Sequence, residues 1–328
     1  MFDATIAQMT DQPSLRPGSG WTVVVAVSSV VAVMAIVGTW FVISQQRRQV
    51  PDDVPAPTEE YGRRLMAQTS WLLGPDNPDP ERRFMNSRLN CGSCHLDTGT
   101  QPGMLSLTES FQKYPRFSGR DGKDSDLKER IDGCMERSMN GRKLPRDGVE
   151  MNAMVAYIRS LNDQWMATSP ALRVVLEPPT LRTPARAASP EAGQKVFESR
   201  CRVCHGGDGL GMLASQDPRR GYVFPPLWGD DSFNNGAGMA RVLTAARFIK
   251  ARMPFGRPDL TDDEAFDVAA YLNSQPRPQI SSSHLEKDYP DRSTKPVDSP
   301  YGPYADPFPA EQHRFGPFAP IEAYYKKK

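Results

Sequence analysis

The sequence predicts an all-α protein with two similar small helical domains in tandem, one membrane-spanning helix before them and a long Pro-rich strap after them. Three observations predict this organisation: an uncharged apolar run at 21–44, a Cys-containing motif that occurs twice between helical patterns, and ten Pro in the last 53 of 328 residues. The formal charge is only +1, from 40 Lys+Arg and 39 Asp+Glu. This balance argues against a dedicated nucleic-acid binder.

The run WTVVVAVSSVVAVMAIVGTWFVIS is the predicted membrane anchor. A helix over 21–44, at ~1.5 Å per residue, is long enough to cross a hydrocarbon core of ~30 Å. Trp21 and Trp40 lie near its two ends, where aromatic side chains favour the interface. A cleaved signal peptide is the alternative, but the run exceeds an apolar region of about 7–15 residues and no small-x-small cleavage site follows it. Arg47 and Arg48 would, by charge alone, place the following chain in the cytoplasm.

Four of the five cysteines form two copies of Cys-x-x-Cys-His, namely Cys91-Gly-Ser-Cys94-His95 and Cys201-Arg-Val-Cys204-His205. This motif attaches c-type haem, with both thiols bonded to the porphyrin and the His ligating the iron. A redox dithiol needs no following His, and a zinc site needs a second closely spaced ligand pair. The sequence therefore predicts two covalently bound haem c groups. Because such haem is attached in the periplasm, we expect an inner-membrane protein with periplasmic haem domains, against the arginine signal.

Helical patterns flank each motif as in the small class I cytochrome c fold. In the first domain, 61–73 is the predicted opening helix, and 150–163 is the closing helix with one apolar stripe. In the second, Ser189 followed by Pro190 begins a helix that runs to Cys201, and Thr261-x-x-Glu264 begins the closing helix at 261–275. The predicted segments are a cytoplasmic tail (1–20), the anchor (21–44), domain 1 (45–168), a linker (169–188), domain 2 (189–276) and the strap (277–328). The strap is rich in aromatic residues, so we expect it to pack across the domains.

The sixth iron ligand should differ between the two domains. In the second, Met253 just precedes the closing helix, where class I cytochromes supply a Met that raises the potential. Lys250 is the alternative ligand there. In the first, the fifth cysteine, Cys134, is the preferred candidate over Met135 and Met139.

A small buried hydrophobe is the other interpretation of Cys134. An exported protein, however, rarely keeps an idle thiol. Arg130, Cys134 and Ser138 share one helical face at i, i+4 and i+8. Arg130 and, upstream, Arg120 would lower the thiol pKa and could bind an oxyanion. This combination indicates catalysis rather than simple electron transfer.

These residues resemble the dihaem thiosulfate dehydrogenases, which join two thiosulfate ions into tetrathionate. The runs that carry the resemblance are Cys-Gly-Ser-Cys-His-Leu-Asp, Arg-Ile-Asp-Gly-Cys-Met-Glu-Arg-Ser-Met-Asn-Gly, Phe-Ile-Lys-Ala-x-Met-Pro and Lys-Pro-Val-Asp-x-Pro-Tyr-Gly-Pro-Tyr-Ala-Asp. The resemblance covers about residues 60–320. It implies that His95 and Cys134 ligate the catalytic haem and that His205 and Met253 ligate the electron-transfer haem. It also implies that Arg120, Arg130 and Ser138 line the substrate pocket.

The resemblance implies an electron acceptor such as a small cytochrome c, a high-potential iron-sulfur protein, a terminal oxidase or a photosynthetic reaction centre. Two other functions remain open at this level. One is a membrane-anchored dihaem electron-transfer subunit of a larger redox complex. The other is a related sulfur enzyme, such as a tetrathionate reductase that runs the same reaction backward or a protein that conjugates thiosulfate to a carrier.

Overall fold

The computed structural model describes residues 56–101, 103–170 and 180–327. The predicted tail and anchor lie outside these ranges, as does the middle of the predicted linker. Within the described part of the chain, no helix is both long and apolar enough to cross a membrane. The α-helices of these ranges are α1 (Glu59–Ala67), α2 (Thr69–Leu73), α3 (Leu127–Arg137), α4 (Val149–Ala167), α5 (Pro190–Val196), α6 (Arg202–His205), α7 (Val242–Arg252), α8 (Asp262–Ser274), α9 (Ser282–Lys287), α10 (Ala310–Phe315) and α11 (Ala319–Lys326).

The opening helix of domain 1 is broken into α1 and α2, whereas the sequence predicted one helix. Gln68 has non-helical backbone angles (φ −131°, ψ 36°) at the break. The Thr69 hydroxyl donates to the Leu65 carbonyl (2.6 Å) and accepts from the Cys91 amide (2.9 Å). The break therefore lets the start of α2 hold the first Cys-containing motif, a contact that helical periodicity does not reveal.

The predicted helix starts of domain 2 are confirmed. Ser189 accepts a hydrogen bond from the Ala192 amide ahead of Pro190, and Thr261 and Glu264 form the reciprocal capping box of α8. After Val196 the helix widens into a π-helical turn, Phe197–Cys201, and continues as α6. The second motif is thus a continuation of the opening helix, unlike the first.

One glycine in each domain lies where the opening helix crosses the closing helix. A Cβ atom on Gly62 would collide with the Ala153 carbonyl oxygen of α4, and one on Gly193 would collide with the Asp267 carbonyl oxygen of α8. Only glycine allows the backbones to approach this closely. The same crossing in both domains supports one shared framework.

The fold is helix-rich but not purely helical, so the all-α prediction is wrong in this detail. Two short antiparallel hairpins occur, β1 (Arg116–Ser118) with β2 (Lys123–Ser125), and β3 (Met212–Leu213) with β4 (Tyr222–Phe224). Strands of two or three residues are too short to show an alternating pattern. The turn between β1 and β2 carries Arg120 and closes through Gly122, whose φ of +66° favours glycine.

The Pro-rich strap packs across both domains, as predicted, although it contains α9–α11 and is not extended throughout. Phe318 and Ile321 are 1% and 0% exposed and belong to the hydrophobic core of domain 2. Near the other end of the strap, Asp288 contacts arginines of domain 1. The strap therefore completes one domain and covers part of the other.

The domains also contact each other directly. The amide of Asn234 donates to the Arg137 carbonyl (3.1 Å), and its side chain donates to the Glu136 carbonyl (2.9 Å) at the end of α3. The Arg88 amide donates to the Asp231 carboxylate (2.8 Å). Domain 2 therefore packs against the helix that carries Cys134.

Candidate functional site

The first motif is a single 3-10 turn, Cys91–Ser93, anchored at both sides. The Asn90 side chain accepts from the Ser70 amide (2.9 Å), and the Ser93 hydroxyl accepts from the Asn90 amide (3.2 Å). Together with the Thr69–Cys91 hydrogen bond, these contacts fix the two thiols of the motif beside α2.

The His95 imidazole is oriented by a backbone carbonyl. Its Nδ1 lies 2.7 Å from the Leu105 carbonyl oxygen, so the Nδ1–H tautomer is favoured and Nε2 is left as an electron-pair donor. The Cys134 thiol is close enough to the same ring to share a hydrogen bond with it.

Arg130 contacts the Cys134 sulfur from one helical turn before it. Its Nη1 lies 3.0 Å from Sγ, as the shared face of α3 predicts. Burial by itself would raise the pKa of the Cys134 thiol, but the charge of Arg130 and the His95 contact lower it to about 7. Burial instead raises the pKa of the motif thiols, to about 11 for Cys91 and about 12 for Cys94. Cys134 is therefore the thiol best prepared to act as a thiolate.

The two other predicted pocket residues are Ser138 and Arg120. Ser138 ends α3 in helical conformation, one turn after Cys134, and is half-buried. Arg120 is near enough for its charge to oppose that of Arg130. The structure therefore brings Cys134, Arg130 and Arg120 into one electropositive cluster.

Arg120 is held by residues that the sequence did not single out. Its Nη1 donates to the Asp288 carboxylate (2.8 Å), the Gly236 carbonyl (3.2 Å) and the Tyr301 hydroxyl (3.3 Å). Two of these partners are in the strap: Tyr301 lies in one of the runs that carry the family resemblance, whereas no pattern in the sequence pointed to Asp288. Tyr114 is a further neighbour of Arg130 that was missed.

The second motif repeats the histidine arrangement with different surroundings. The His205 Nδ1 lies 2.8 Å from the Pro225 carbonyl oxygen, and burial lowers the pKa of the ring. Met253 directly follows α7 and, like Cys201, packs against the core of domain 2. Lys250 is directed elsewhere, because its Nζ donates to the Leu260 carbonyl (2.7 Å) and lies 3.4 Å from the Asp262 carboxylate.

The donor sets fit covalent haem in both domains. Each offers two adjacent thiols and an imidazole whose Nδ1 is held by a backbone carbonyl, which is how iron-ligating histidines are oriented. Besides these groups, domain 1 contains the Cys134 thiol in contact with Arg130, and domain 2 contains the Met253 thioether at the end of α7. The first set is suited to sulfur chemistry and the second to electron transfer.

Comparison with known proteins identifies the same two domains. Residues 82–164 match the SoxA/TsdA cytochrome c domain family, and residues 188–272 match the family of cbb3-type cytochrome c oxidase subunit III. The protein accordingly has two cytochrome c domains and carries two covalently bound haem c groups.

The relatives that match both domains together are thiosulfate dehydrogenases. Those of Psychrobacter arcticus, Stutzerimonas stutzeri and Allochromatium vinosum are each 36% identical, over 74%, 70% and 70% of this chain and 71%, 73% and 82% of theirs. The solved structure of thiosulfate dehydrogenase (TsdBA) from Marichromatium purpuratum is 32% identical with a TM-score of 0.59; the match covers 71% of this chain and about half (49%) of that one. The chain belongs to the thiosulfate dehydrogenase family of c-type cytochrome oxidoreductases.

Proposed function

We propose that this protein oxidises two thiosulfate ions to tetrathionate at Cys134, with Arg120 and Arg130 binding the anion. The observation that carries the proposal is the contact of the Cys134 sulfur with the Arg130 guanidinium (3.0 Å), with the His95 ring also close to the sulfur. A protein that only carried electrons would need neither a thiol nor a charged partner for it.

The charges around Cys134 suit a dianion. Arg120 and Arg130 are near enough for their charges to interact, and Asp288 is the one carboxylate that bonds either of them in the described ranges. Guanidinium groups bind oxyanions through paired N–H donors. Ser138 has a hydroxyl on the same face of α3 and adds a neutral donor.

The chemistry that we propose uses the Cys134 thiolate twice. In the first step its sulfur forms an S–S bond with the sulfane sulfur of thiosulfate, and two electrons leave the pair. In the second step another thiosulfate attacks the sulfane sulfur of this adduct, forms tetrathionate and releases the thiolate by ordinary thiol exchange. The sum is two thiosulfate ions giving one tetrathionate and two electrons, with the cysteine regenerated.

In this proposal the haem groups, when bound, accept the two electrons and relay them. His95 and Cys134 would ligate the iron in domain 1, and His205 and Met253 would ligate it in domain 2, where a thioether favours the reduced state. The contact of domain 2 with the end of α3 supports transfer between the two domains. The acceptor is a cytochrome or another high-potential electron carrier of the respiratory or photosynthetic chain.

The test is the purified full-length protein with ferricyanide as oxidant. We expect thiosulfate-dependent reduction and one tetrathionate per two thiosulfate ions by ion chromatography. Single-turnover samples quenched in acid should carry a thiosulfonate adduct on Cys134 by mass spectrometry. A haem-loaded protein that oxidises no thiosulfate would contradict the proposal and favour an electron-transfer subunit.

We also propose that residues 21–44 anchor the protein in the inner membrane with the haem domains in the periplasm. The support is the pair of haem-attachment motifs, because this haem is attached in the periplasm. A reporter fused after Lys328 should be active only when exported, and cytoplasmic activity in a haem-loaded protein would contradict the topology.

A further inference from the structure

We propose that two strap residues, Asp288 and Tyr301, are positioning residues of the anion site, because they fix the Arg120 guanidinium beside Cys134. The strap is then a functional part of domain 1 and not only a covering segment. This inference rests on the proposed function, since it assigns a role to residues that act on the proposed substrate site.

Asp288 is a buried carboxylate at the centre of a hydrogen-bond network. It is 4% exposed. Its Oδ2 accepts from Arg120 Nη1 (2.8 Å) and from the Tyr301 hydroxyl (2.7 Å), while its Oδ1 accepts from Arg137 Nη2 (2.7 Å). A buried charge with hydrogen bonds of this kind is geometrically well defined.

The network leaves the rest of the Arg120 guanidinium for a ligand. All three of its side-chain hydrogen bonds in the described ranges use Nη1, so Nε and Nη2 are not engaged by them. Those two nitrogens form one edge of the fork that binds oxyanions in pairs. The strap therefore bonds Nη1 of Arg120 and leaves the edge formed by Nε and Nη2 available to a ligand.

Arg120 needs this support because its own segment is short. It lies in the turn between the three-residue strands β1 and β2. The strap also holds the backbone of this turn: the Tyr289 amide donates to the Arg120 carbonyl (2.7 Å), and the Tyr289 ring lies 5.2 Å from the guanidinium. Backbone and side chain are thus fixed by the same segment.

The charge of the network remains positive. One carboxylate is shared between Arg120 and Arg137, so it compensates at most one of the two guanidinium charges. Lys295, also close to Arg120, contributes further positive charge. Asp288 can therefore orient Arg120 without cancelling the attraction for an anion.

Lys295 also holds the part of the strap that contains Tyr301. Lys295 is 6% exposed, and its Nζ lies 4.5 Å from the ring centre of Tyr301 and 5.3 Å from that of Tyr304. The same Nζ donates to the Pro303 carbonyl (3.2 Å). These cation–π contacts fix the loop that presents the Tyr301 hydroxyl.

The experiment compares Asp288→Asn and Tyr301→Phe with Asp298→Asn in the haem-loaded full chain. Asp298 is a matched control, since it is an equally buried strap carboxylate (3% exposed) but bonds Arg241 (3.4 Å) in domain 2. Thiosulfate binding is measured by calorimetry without an electron acceptor, and turnover is measured separately. Absorption spectra check that the haem environment of domain 1 is unchanged.

We expect Asp288→Asn to weaken thiosulfate binding and raise KM by about tenfold, with kcat within about twofold, because a charge-assisted contact is lost outside the reacting atoms. Tyr301→Phe should raise KM by about threefold, since its contact is neutral. Asp298→Asn should leave KM unchanged. In an Arg120→Ala background, Asp288→Asn should add nothing further, because its effect passes through Arg120.

Unchanged binding in both Asp288→Asn and Tyr301→Phe would overturn the inference. So would an equal rise of KM in Asp298→Asn, or a full additional loss in the Arg120→Ala background. Failure of the proposed function is distinct: wild-type protein that binds thiosulfate but never oxidises it refutes the function, while the binding series still decides the role of Asp288.

Discussion

The two haem-binding domains share a framework and differ in the sulfur side chain that is the predicted sixth ligand of each iron. Gly62 and Gly193 occupy the same helix crossing, and both motif histidines are held through Nδ1 by a carbonyl, at 2.7 and 2.8 Å. Domain 1 then presents Cys134 with a guanidinium 3.0 Å from its sulfur. Domain 2 presents Met253, a neutral thioether at the end of a helix.

The difference teaches where catalysis is specified. The framework that holds the motif is common to both domains, so it cannot decide between electron transfer and sulfur chemistry. In the proposed function, the features that specify sulfur chemistry are Cys134 on α3, Arg130 one turn earlier, and Arg120 on the hairpin of β1 and β2. The following predictions test this contrast between the domains.

The largest effect on tetrathionate formation is expected from Cys134→Met, which replaces the thiol of domain 1 with the thioether side chain found in domain 2. Cys134→Met keeps a sulfur ligand but cannot form an S–S bond with thiosulfate, so tetrathionate formation should fall by at least about a thousandfold. Both haems should stay attached. Adding Met253→Cys should restore no activity, because the corresponding thiol would lack the guanidinium partner of domain 1. Near-normal turnover of Cys134→Met would refute the nucleophilic role.

Adding a side chain at the helix crossing should lower the free energy of unfolding by a similar amount in both domains. A methyl group at Gly62 or Gly193 collides with a backbone carbonyl, so each change to Ala should cost about 3 kcal/mol of unfolding free energy. Denaturant unfolding followed in the haem absorption bands measures this. Gly133→Ala is the control, because a Cβ there would have no atom within 4 Å apart from its chain neighbours and the backbone of its own helix. If Gly62→Ala or Gly193→Ala were as stable as Gly133→Ala, the helix crossing of that domain would not depend on glycine, and the two domains would not share this feature.

Removing the guanidinium charge next to the Cys134 sulfur should reduce thiosulfate oxidation at domain 1 and leave the haem site of domain 2 unchanged. Arg130→Gln loses a charged contact to the thiolate and to the anion, so kcat/KM for thiosulfate should fall about thirtyfold, or ~2 kcal/mol. Arg130→Lys should recover part of this, since it keeps the charge but not the planar fork. Steady-state kinetics decide, and an unchanged kcat/KM would remove Arg130 from the site.

The smallest effect on catalysis is expected from the distal ligand of domain 2. Met253→Gly should lower the potential of the second haem, on the order of 100 mV, and slow turnover a few-fold without changing thiosulfate affinity. Lys250→Gln is the matched control, because Lys250 bonds Leu260 and Asp262 instead. Redox titration of the second haem measures the shift in each variant. A shift with Lys250→Gln alone would make the lysine the ligand.

Local patterns predicted the local features of this molecule. The Thr261–Glu264 capping box, the start at Ser189 and the shared face of Arg130 and Cys134 all depend on residues a few positions apart, and all are found. The bonding of Arg120 to Asp288, 168 positions away, was not predicted. Contacts between distant segments leave no periodic signal in a single sequence.

The break after Gln68 and the hairpin that carries Arg120 were missed for a related reason. The break follows from a hydrogen bond between Thr69 and Cys91, 22 positions apart, and the strands are too short for any pattern. The site could thus be predicted as a set of residues, but its support could not.

The order of segments along the chain has a consequence for biogenesis. Phe318 and Ile321 complete the core of domain 2 and Asp288 braces Arg120, yet all three are synthesised after both Cys-containing motifs. Before the strap is made, the core of domain 2 lacks Phe318 and Ile321, and Arg120 lacks its contact with Asp288. Neither domain can therefore reach the packing described here until residues 288–321 have been synthesised.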